Sequence, residues 1–243
     1  MWDKIAALNS PTLFSSKRCA QFNLKKGSIM KNWKYFVLMI VILGCKNSVK
    51  NLETIAEGLD NSYERAQKIE EYQLKKYSDK VQRKDSSLVL KLENNNELVL
   101  KDNGTGDGVE LFSFREYYDL VKVFVIEVQY YEGGSYLLVN GKNGEKLNIF
   151  GKTKLSPDMK KIVSYNMDIF AGFSDNGFQI IDLQDNHFKI EYEYKPDNWG
   201  PENINWISNS EIEIEKYGFN KDGNAQNIGK TYFVLNENWI EKK

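Results

Sequence analysis

Short segments in which apolar and polar residues alternate run from Ser87 to the end of the chain, and they constrain the fold more than any other feature of the sequence. The first two segments, at 88–92 and 97–100, flank three asparagines at 94–96. Successive side chains of a β-strand point to opposite faces, so alternation on both sides of a polar turn is typical of a β-hairpin. The sequence therefore predicts that this region begins with a hairpin.

The same pattern continues beyond the hairpin. Further strands are predicted at 109–117, 121–131, 135–140, 146–150, 161–166, 178–183, 188–194, 204–207, 211–217 and 231–235. Turn signals such as Gly133-Gly134 and Asp222-Gly223 separate these segments. Because no helical segment connects consecutive strands, the pattern predicts antiparallel sheets.

A weak repeat is present in the second half of the chain. The turn sequence LSPD at 155–158 precedes a strand at 161–164, and WISN at 206–209 precedes a strand at 211–214, 51 residues later. This order resembles the TolB-like β-propeller repeat. The chain departs from that repeat at Met159, which replaces the turn glycine, and in the second copy, which lacks Ser-Pro-Asp.

The resemblance covers roughly residues 133–240 and implies sheets of the propeller-blade type. A closed propeller needs at least four blades of about 40 residues each, whereas residues 87–243 hold about three such units. The predicted fold class is therefore mainly β. We expect antiparallel, propeller-blade-like sheets in an incomplete or open propeller or a β-sandwich-like body, preceded by one N-terminal helix.

That helix is predicted over residues 62–84. Its apolar side chains recur near helical spacing among many charged residues, at Tyr63, Ala66, Ile69, Tyr77 and Val81. Such a pattern is typical of an amphipathic helix with a narrow apolar stripe. We expect the helix to pack against the β-rich domain or to act as a stalk.

The N-terminal region contains an apolar segment preceded by positive charge. Lys31 and Lys34 precede nine consecutive apolar residues at 35–43, and Gly44-Cys45 follows them. Nine helical residues span only about half of a ~30 Å hydrocarbon layer, so a transmembrane helix is disfavoured. The length fits the apolar region of a cleavable signal peptide.

The last four residues of this segment, Ile42-Leu43-Gly44-Cys45, resemble the lipobox of bacterial lipoproteins. The resemblance implies that the Cys45 thiol receives a diacylglycerol and that the signal peptide is cleaved between Gly44 and Cys45. Ile42 stands where leucine is commoner in the family.

These features divide the chain into five parts. We interpret 1–29 as a mis-called upstream start or a disordered extension, 30–44 as the signal peptide, 45–61 as a tether, 62–84 as the helix and 87–243 as the β-rich domain. Lys46 stands where aspartate resembles an inner-membrane retention signal. We therefore expect a lipid-anchored protein of the bacterial cell envelope, on the outer membrane and facing the periplasm or the surface.

Removal of residues 1–44 leaves 26 Lys/Arg and 33 Asp/Glu, a net charge of about −7. An acidic domain argues against a nucleic-acid partner, because neutralisation of phosphates supplies most of that affinity. Cys19 is discarded and Cys45 is blocked by lipid, so no thiol remains for a disulfide, a metal or a nucleophile.

No group of residues predicts catalysis, a cofactor or a metal site. His187 is the only histidine and lies in a predicted turn, which argues against a histidine-based triad or metal centre. The oxygen-rich segment 102–108 lacks the spacing of a calcium-binding EF-hand. The glutamates at 191–193 and 211–215 alternate with apolar or aromatic residues, as on half-buried strands.

Aromatic residues provide the only candidate ligand platform. They lie in or beside predicted loops and strand ends, at Tyr130, Tyr131, Trp199 and Trp206. They are predicted either to bind a sugar or peptide or to pack between blades.

The expected function is a non-enzymatic binding or scaffolding module, whose partners are the bilayer, through the acylated cysteine, and an unknown protein or glycan. Two alternatives remain open. One is a hydrolase of envelope carbohydrate that uses paired carboxylates. The other is an enzyme inhibitor with a protruding loop at 102–108 or 220–229.

Overall fold

A computed structural model describes residues 52–242. Two helices open this part of the chain, α1 (Leu52–Ile55) and α2 (Ser62–Lys76). The side chain of Asn61 caps α2 by accepting hydrogen bonds from the backbone N–H groups of Tyr63 and Glu64, at 2.8 and 3.2 Å.

The predicted helix boundary at residue 84 is wrong. Tyr77 leaves helical geometry, and Val81–Lys84 forms a strand in which Val81 pairs with Leu90. Val81 is buried in the core. Its four-residue spacing from Tyr77 mimics a helical stripe, although the two residues belong to different elements.

Fifteen strands of the described region form four antiparallel sheets, labelled A to D in chain order. Sheet A contains β1 (Val81–Lys84), β2 (Ser87–Lys91) and β3 (Glu97–Lys101); sheet B contains β4 (Glu110–Tyr118), β5 (Val123–Tyr130), β6 (Gly134–Asn140) and β7 (Lys146–Ile149); sheet C contains β8 (Lys152–Leu155), β9 (Lys161–Asn166), β10 (Gly177–Asp182) and β11 (Lys189–Tyr194); sheet D contains β12 (Trp199–Ser208), β13 (Glu211–Phe219), β14 (Ala225–Leu235) and β15 (Trp239–Glu241). The predicted fold class is confirmed: open antiparallel sheets of the blade type follow one main helix.

Each pair of consecutive sheets shares a hydrophobic core. Sheets A and B enclose one cluster, which includes Leu90 and Phe114. Sheets B and C enclose a second, and sheets C and D enclose a third that contains Phe178 and Phe233. The sheets are therefore stacked in chain order, with one apolar layer between each pair.

Helix α2 covers the open edge of β4. Glu70 Oε1 accepts a hydrogen bond from Phe114 N at 3.0 Å, and Gln73 Nε2 donates one to Arg115 O at 2.5 Å. An uncovered edge strand exposes unpaired backbone groups that invite another chain to pair with it. The two α2 side chains satisfy those groups at this edge.

The sequence repeat corresponds to neighbouring structural units. Met159 has a φ of +61°, a conformation that glycine adopts more easily, which agrees with the glycine of the similar repeat. Asn209 Oδ1 accepts a hydrogen bond from Asp158 N at 3.1 Å, and Trp206 Nε1 donates one to Lys154 O at 3.0 Å. The two copies therefore contact each other directly.

The stacked sheets have two ends. At end I, which carries the β5–β6, β9–β10 and β13–β14 turns, Ser174 Oγ accepts a hydrogen bond from Gly134 N at 2.9 Å. At end II, which carries the β4–β5, β6–β7 and β10–β11 turns, Asn140 Nδ2 donates a hydrogen bond to Asn186 O at 2.7 Å. These two contacts involve the first and the last of the seven residues of β6.

Candidate functional site

A group of acidic and basic side chains, the charged cluster, lies where α1 meets sheets B and C. It consists of Glu53, Arg65, Arg115, Glu127 and Lys152. Arg115 is central, with Nη2 2.8 Å from Glu53 Oε1 and Nη1 3.1 Å from Glu127 Oε2. Arg65 Nη2 lies 2.8 Å from Glu53 Oε2, and Lys152 Nζ lies 4.0 Å from Glu53 Oε1.

A β-bulge in β4 places Arg115 in this cluster. Phe114 pairs with Ile126 and Glu116 pairs with Val125, so Arg115 is the extra residue. Bulges redirect a side chain away from regular alternation. The redirected Arg115 is only 8% exposed.

Glu127 reaches the cluster from β5. It pairs across the strands with Tyr136 of β6, whose pKa is raised by burial and by the charge of Glu127. Glu127 Oε2 is buried and accepts no hydrogen bond, although it lies within ion-pair distance of Arg115.

The environment moves the two carboxyl pKa values in opposite directions. Burial raises the pKa of Glu127, and the charge of Arg115 offsets only part of that effect. Burial also acts to raise the pKa of Glu53, but Arg115, Lys152 and Arg65 together lower it below its ordinary value. The pKa values of the two carboxyl groups are therefore moved apart.

Carboxyl groups with separated pKa values are typical of acid–base pairs in glycoside hydrolysis. Here the Arg115 guanidinium bridges Glu53 and Glu127. In a hydrolase the scissile bond must lie between the two carboxyl groups, and in this cluster a permanent cation occupies that space. The arrangement fits an ion-pair network that fastens α1 to sheet B.

The glutamates of the two acidic runs lie beside lysines. Glu191 contacts Lys161, and Glu193 Oε1 lies 3.5 Å from Lys195 Nζ. In sheet D, Lys242 Nζ lies 3.1 Å from the carboxylate of Glu211. Lys230 Nζ lies 2.7 Å from the carboxylate of Glu213 and 3.5 Å from that of Glu215. These carboxylates take part in surface ion pairs.

The segment 102–108 and His187 lie in turns. The Asp102 carboxylate accepts hydrogen bonds from Arg83 Nη1 at 3.1 Å and from Phe112 N at 2.9 Å, so both of its oxygens have partners in the protein. His187 is exposed, and its Nδ1 lies 3.1 Å from Glu145 Oε2. Within residues 52–242, no group of three or more His, Cys, Asp or Glu side chains is arranged to hold a metal ion.

The four aromatic residues predicted as a platform are not brought together. Tyr130 and Tyr131 lie at the end of β5 in sheet B and line a surface depression of about 520 Å³. Trp199 and Trp206 belong to sheet D, on the other side of sheet C, and pack against the core between C and D. The tryptophans have a packing role, and only the tyrosines present an open surface.

The predicted lipidation and cleavage residues, Gly44 and Cys45, lie outside the described residues. In the described part of the chain, neither helix is both long and apolar enough to cross a membrane.

The charged cluster was not predicted from the sequence, although a signal for it exists. Arg115 and Glu127 each lie within an otherwise apolar or aromatic strand, where an isolated ionised residue requires a buried partner. Glu53, by contrast, lies in the segment predicted to be a tether.

Comparison with known proteins assigns neither a family nor a function to this chain. No protein-family model matches the chain, and no curated protein shows significant sequence similarity to it.

Proposed function

We propose that this protein is a lipoprotein of the bacterial cell envelope whose β-rich domain is a non-enzymatic binding or scaffolding module. One observation carries the proposal: positive charge, nine apolar residues, a small residue and a cysteine follow one another in order at 31–45. The described domain begins at Leu52, seven residues after Cys45. Cleavage before Cys45 therefore leaves the whole described domain joined to the lipid.

The contacts of the acidic residues support binding rather than catalysis. Glu53 and Glu127 share Arg115, and the acidic runs of sheets C and D lie beside lysines. A general acid or base must reach a substrate proton within hydrogen-bond distance. Carboxylates held by cations in the fold are poorly suited to that role.

The stacked sheets support a scaffolding role. Their turns provide two ends on which a protein or glycan partner can bind, and binding residues often lie on loops held by a rigid framework. The lysine at position 46, where aspartate resembles an inner-membrane retention signal, favours the outer membrane in this proposal.

Metabolic labelling with palmitate tests the anchor, and the two cysteines provide a matched pair of variants. Wild-type protein and the Cys19→Ser variant are expected to incorporate label and to fractionate with membranes. The Cys45→Ser variant is expected to lose the label. Equal labelling of both variants would refute lipidation at Cys45.

Crosslinking in intact envelopes tests the binding role. A photo-reactive residue at Leu120, an exposed side chain in the β4–β5 turn at end II, is expected to capture a specific envelope component, and the same group at Lys75 on the outer side of α2 serves as the control. Identical products from the two positions would argue against a defined binding surface at end II.

A further inference from the structure

Several large apolar side chains are exposed at end I of the stacked sheets. They form the aromatic rim, which consists of Tyr131, Phe170, Phe173 and Phe219, with exposed fractions of 80%, 58%, 57% and 50%. Tyr131 belongs to the β5–β6 turn, the two central phenylalanines to the β9–β10 turn and Phe219 to the end of β13. Three successive sheets therefore contribute to one edge.

The β9–β10 turn holds its aromatic side chains outward. Asp168 Oδ1 accepts hydrogen bonds from Ala171 N and Gly172 N at 3.0 and 2.9 Å, and its Oδ2 accepts one from Ser174 N at 2.8 Å. Burial acts to raise the pKa of Asp168, but these backbone donors lower it, so the ionised carboxylate is favoured. The carboxylate organises the turn from within.

The rim is continuous between sheets C and D. The Phe170 and Phe219 rings meet edge to face with centroids 5.4 Å apart, and Tyr217 lies 6.2 Å from Phe170 on the same side. Lys195 beside the rim is paired with Asp175 at 2.8 Å, and carboxylates flank the rim at Glu132, next to Tyr131, and at Asp197, which lines a surface depression with Phe219. The surface of the rim is thus apolar and aromatic rather than basic.

The chain enters the described domain near the same end. Glu53 of α1 contacts Lys152, the first residue of β8, which pairs with Tyr165 just before the β9–β10 turn. Seven residue steps separate Cys45 from Leu52, and an extended chain covers at most about 3.6 Å per step, or about 25 Å in total. A lipid at Cys45 therefore holds the point where the chain enters the domain, near end I, within about 25 Å of the bilayer.

We propose that the aromatic rim rests on the lipid headgroup layer of the membrane that holds Cys45. This inference rests on the lipid anchor of the proposed function. Tyrosine is enriched at membrane–water interfaces, and phenylalanine side chains on the apolar face of interfacial segments enter the boundary between headgroups and acyl chains, where their rings leave water. The acyl chains supply attachment, and the rim fixes orientation, with end I toward the lipid and end II away from it.

Spin labels on the acylated protein test this orientation. The mature chain is predicted to carry no free thiol, so Tyr131→Cys, Phe173→Cys and Leu120→Cys each introduce a single labelling site. Leu120 is the matched control, because it is 77% exposed but lies in the β4–β5 turn at end II. Each nitroxide-labelled protein is reconstituted into vesicles of phosphatidylethanolamine and phosphatidylglycerol.

The labels at 131 and 173 are expected to be several-fold less accessible to a water-soluble nickel chelate than the label at 120, and more accessible to oxygen dissolved in lipid. High salt is expected to leave this difference unchanged, because the contact is apolar. Equal chelate accessibility at all three positions would overturn the inference. Spin–spin broadening at 173 would also overturn it, because a second copy would then cover the rim.

Mass spectrometry of the same samples separates the two proposals. Acylated protein with a water-exposed rim refutes the orientation and leaves the anchor intact. Protein that carries no acyl chain refutes the anchor, and the orientation with it.

Discussion

The two faces of sheet C differ in the polarity of their buried side chains, and the alternation of its strands alone does not explain this difference. The face toward sheet D is apolar and aromatic, with Phe178 packed 4.9 Å from Phe233 between ring centroids. The face toward sheet B is apolar at Ile162 and Ile181 but polar at Ser164 and Gln179, all of them buried. The same two strands, β9 and β10, supply both faces.

This difference shows what the buried polar groups contribute where two sheets stack. The core cluster between C and D is apolar and aromatic, and beside it Lys154 of β8 donates hydrogen bonds to Asn203 and Asn205 of β12 at 2.7 and 2.8 Å. These two sheets are therefore joined by an apolar core and by a lysine with neutral partners. Near sheet B, Arg115 instead binds both Glu127 of β5 and Glu53 of α1. The polar half of the interface therefore fixes where the chain enters the domain, which in turn sets where the proposed tether emerges.

The largest expected effect comes from the apolar interface. Phe178→Ala removes a fully buried ring that contacts three other aromatic rings, and it should lower the free energy of unfolding by about 3–5 kcal/mol. Urea denaturation measures this loss. The control is Phe219→Ala, whose ring is half exposed and whose removal should cost far less. Similar losses in the two variants would contradict the assigned core.

The second-largest loss of stability is expected in the polar part of the interface near sheet B. Arg115→Met leaves buried Glu127 without its cation. The free energy of unfolding should fall by about 3 kcal/mol, because the ion pair no longer offsets the desolvation penalty of the buried carboxyl group. Adding Glu127→Leu to this variant should recover most of the loss. If the Arg115→Met variant were as stable as the wild type, the pair of Arg115 and Glu127 would make no contribution to the free energy of unfolding.

A pH series separates the two carboxyl groups. The folded pKa of Glu127 lies above its ordinary value of 4.5, so the folded chain keeps a proton that the unfolded chain has released, and stability falls as the pH rises through this window. Glu127→Gln removes this penalty, and its stability relative to wild type should increase as the pH rises above 4.5.

Glu53 behaves in the opposite way. Its folded pKa is lowered, so its contribution is present above 4.5 and is lost as the pH falls through the folded value. Glu53→Gln should therefore be less stable than wild type at neutral pH and approach it in acid. Parallel pH profiles for the two glutamine variants would contradict the assignment.

The smallest effect is expected outside both interfaces. Lys75 pairs with Glu71 at 2.9 Å on the exposed side of α2, where solvent screens the interaction. Lys75→Ala should leave the midpoint of urea denaturation unchanged within experimental error. A loss comparable to that of Arg115→Met would mean that α2 depends on this pair.

Much of the fold was predictable because local alternation determines strands. The missed elements are short or lie beside conflicting signals: β8 and β15 have four and three residues, and β1 continues the apolar spacing of α2. Strand β12 begins at Trp199 rather than at the predicted residue 204, because Pro201 is tolerated on the edge strand of a sheet.

The candidate site was less predictable because it depends on contacts between distant residues. The bulge at Arg115 follows from the register of β4 and β5, and Glu53 reaches Arg115 across 62 positions of the chain. Alternation predicts which face of a strand is buried, but it does not predict which buried ions meet.

The intact mass of the protein extracted from the membrane fraction tests lipidation at Cys45. We expect a chain that begins at Cys45, without residues 1–44, with the added mass of a diacylglycerol on its first residue. A chain that retains residues 35–43 and carries no lipid would contradict this expectation.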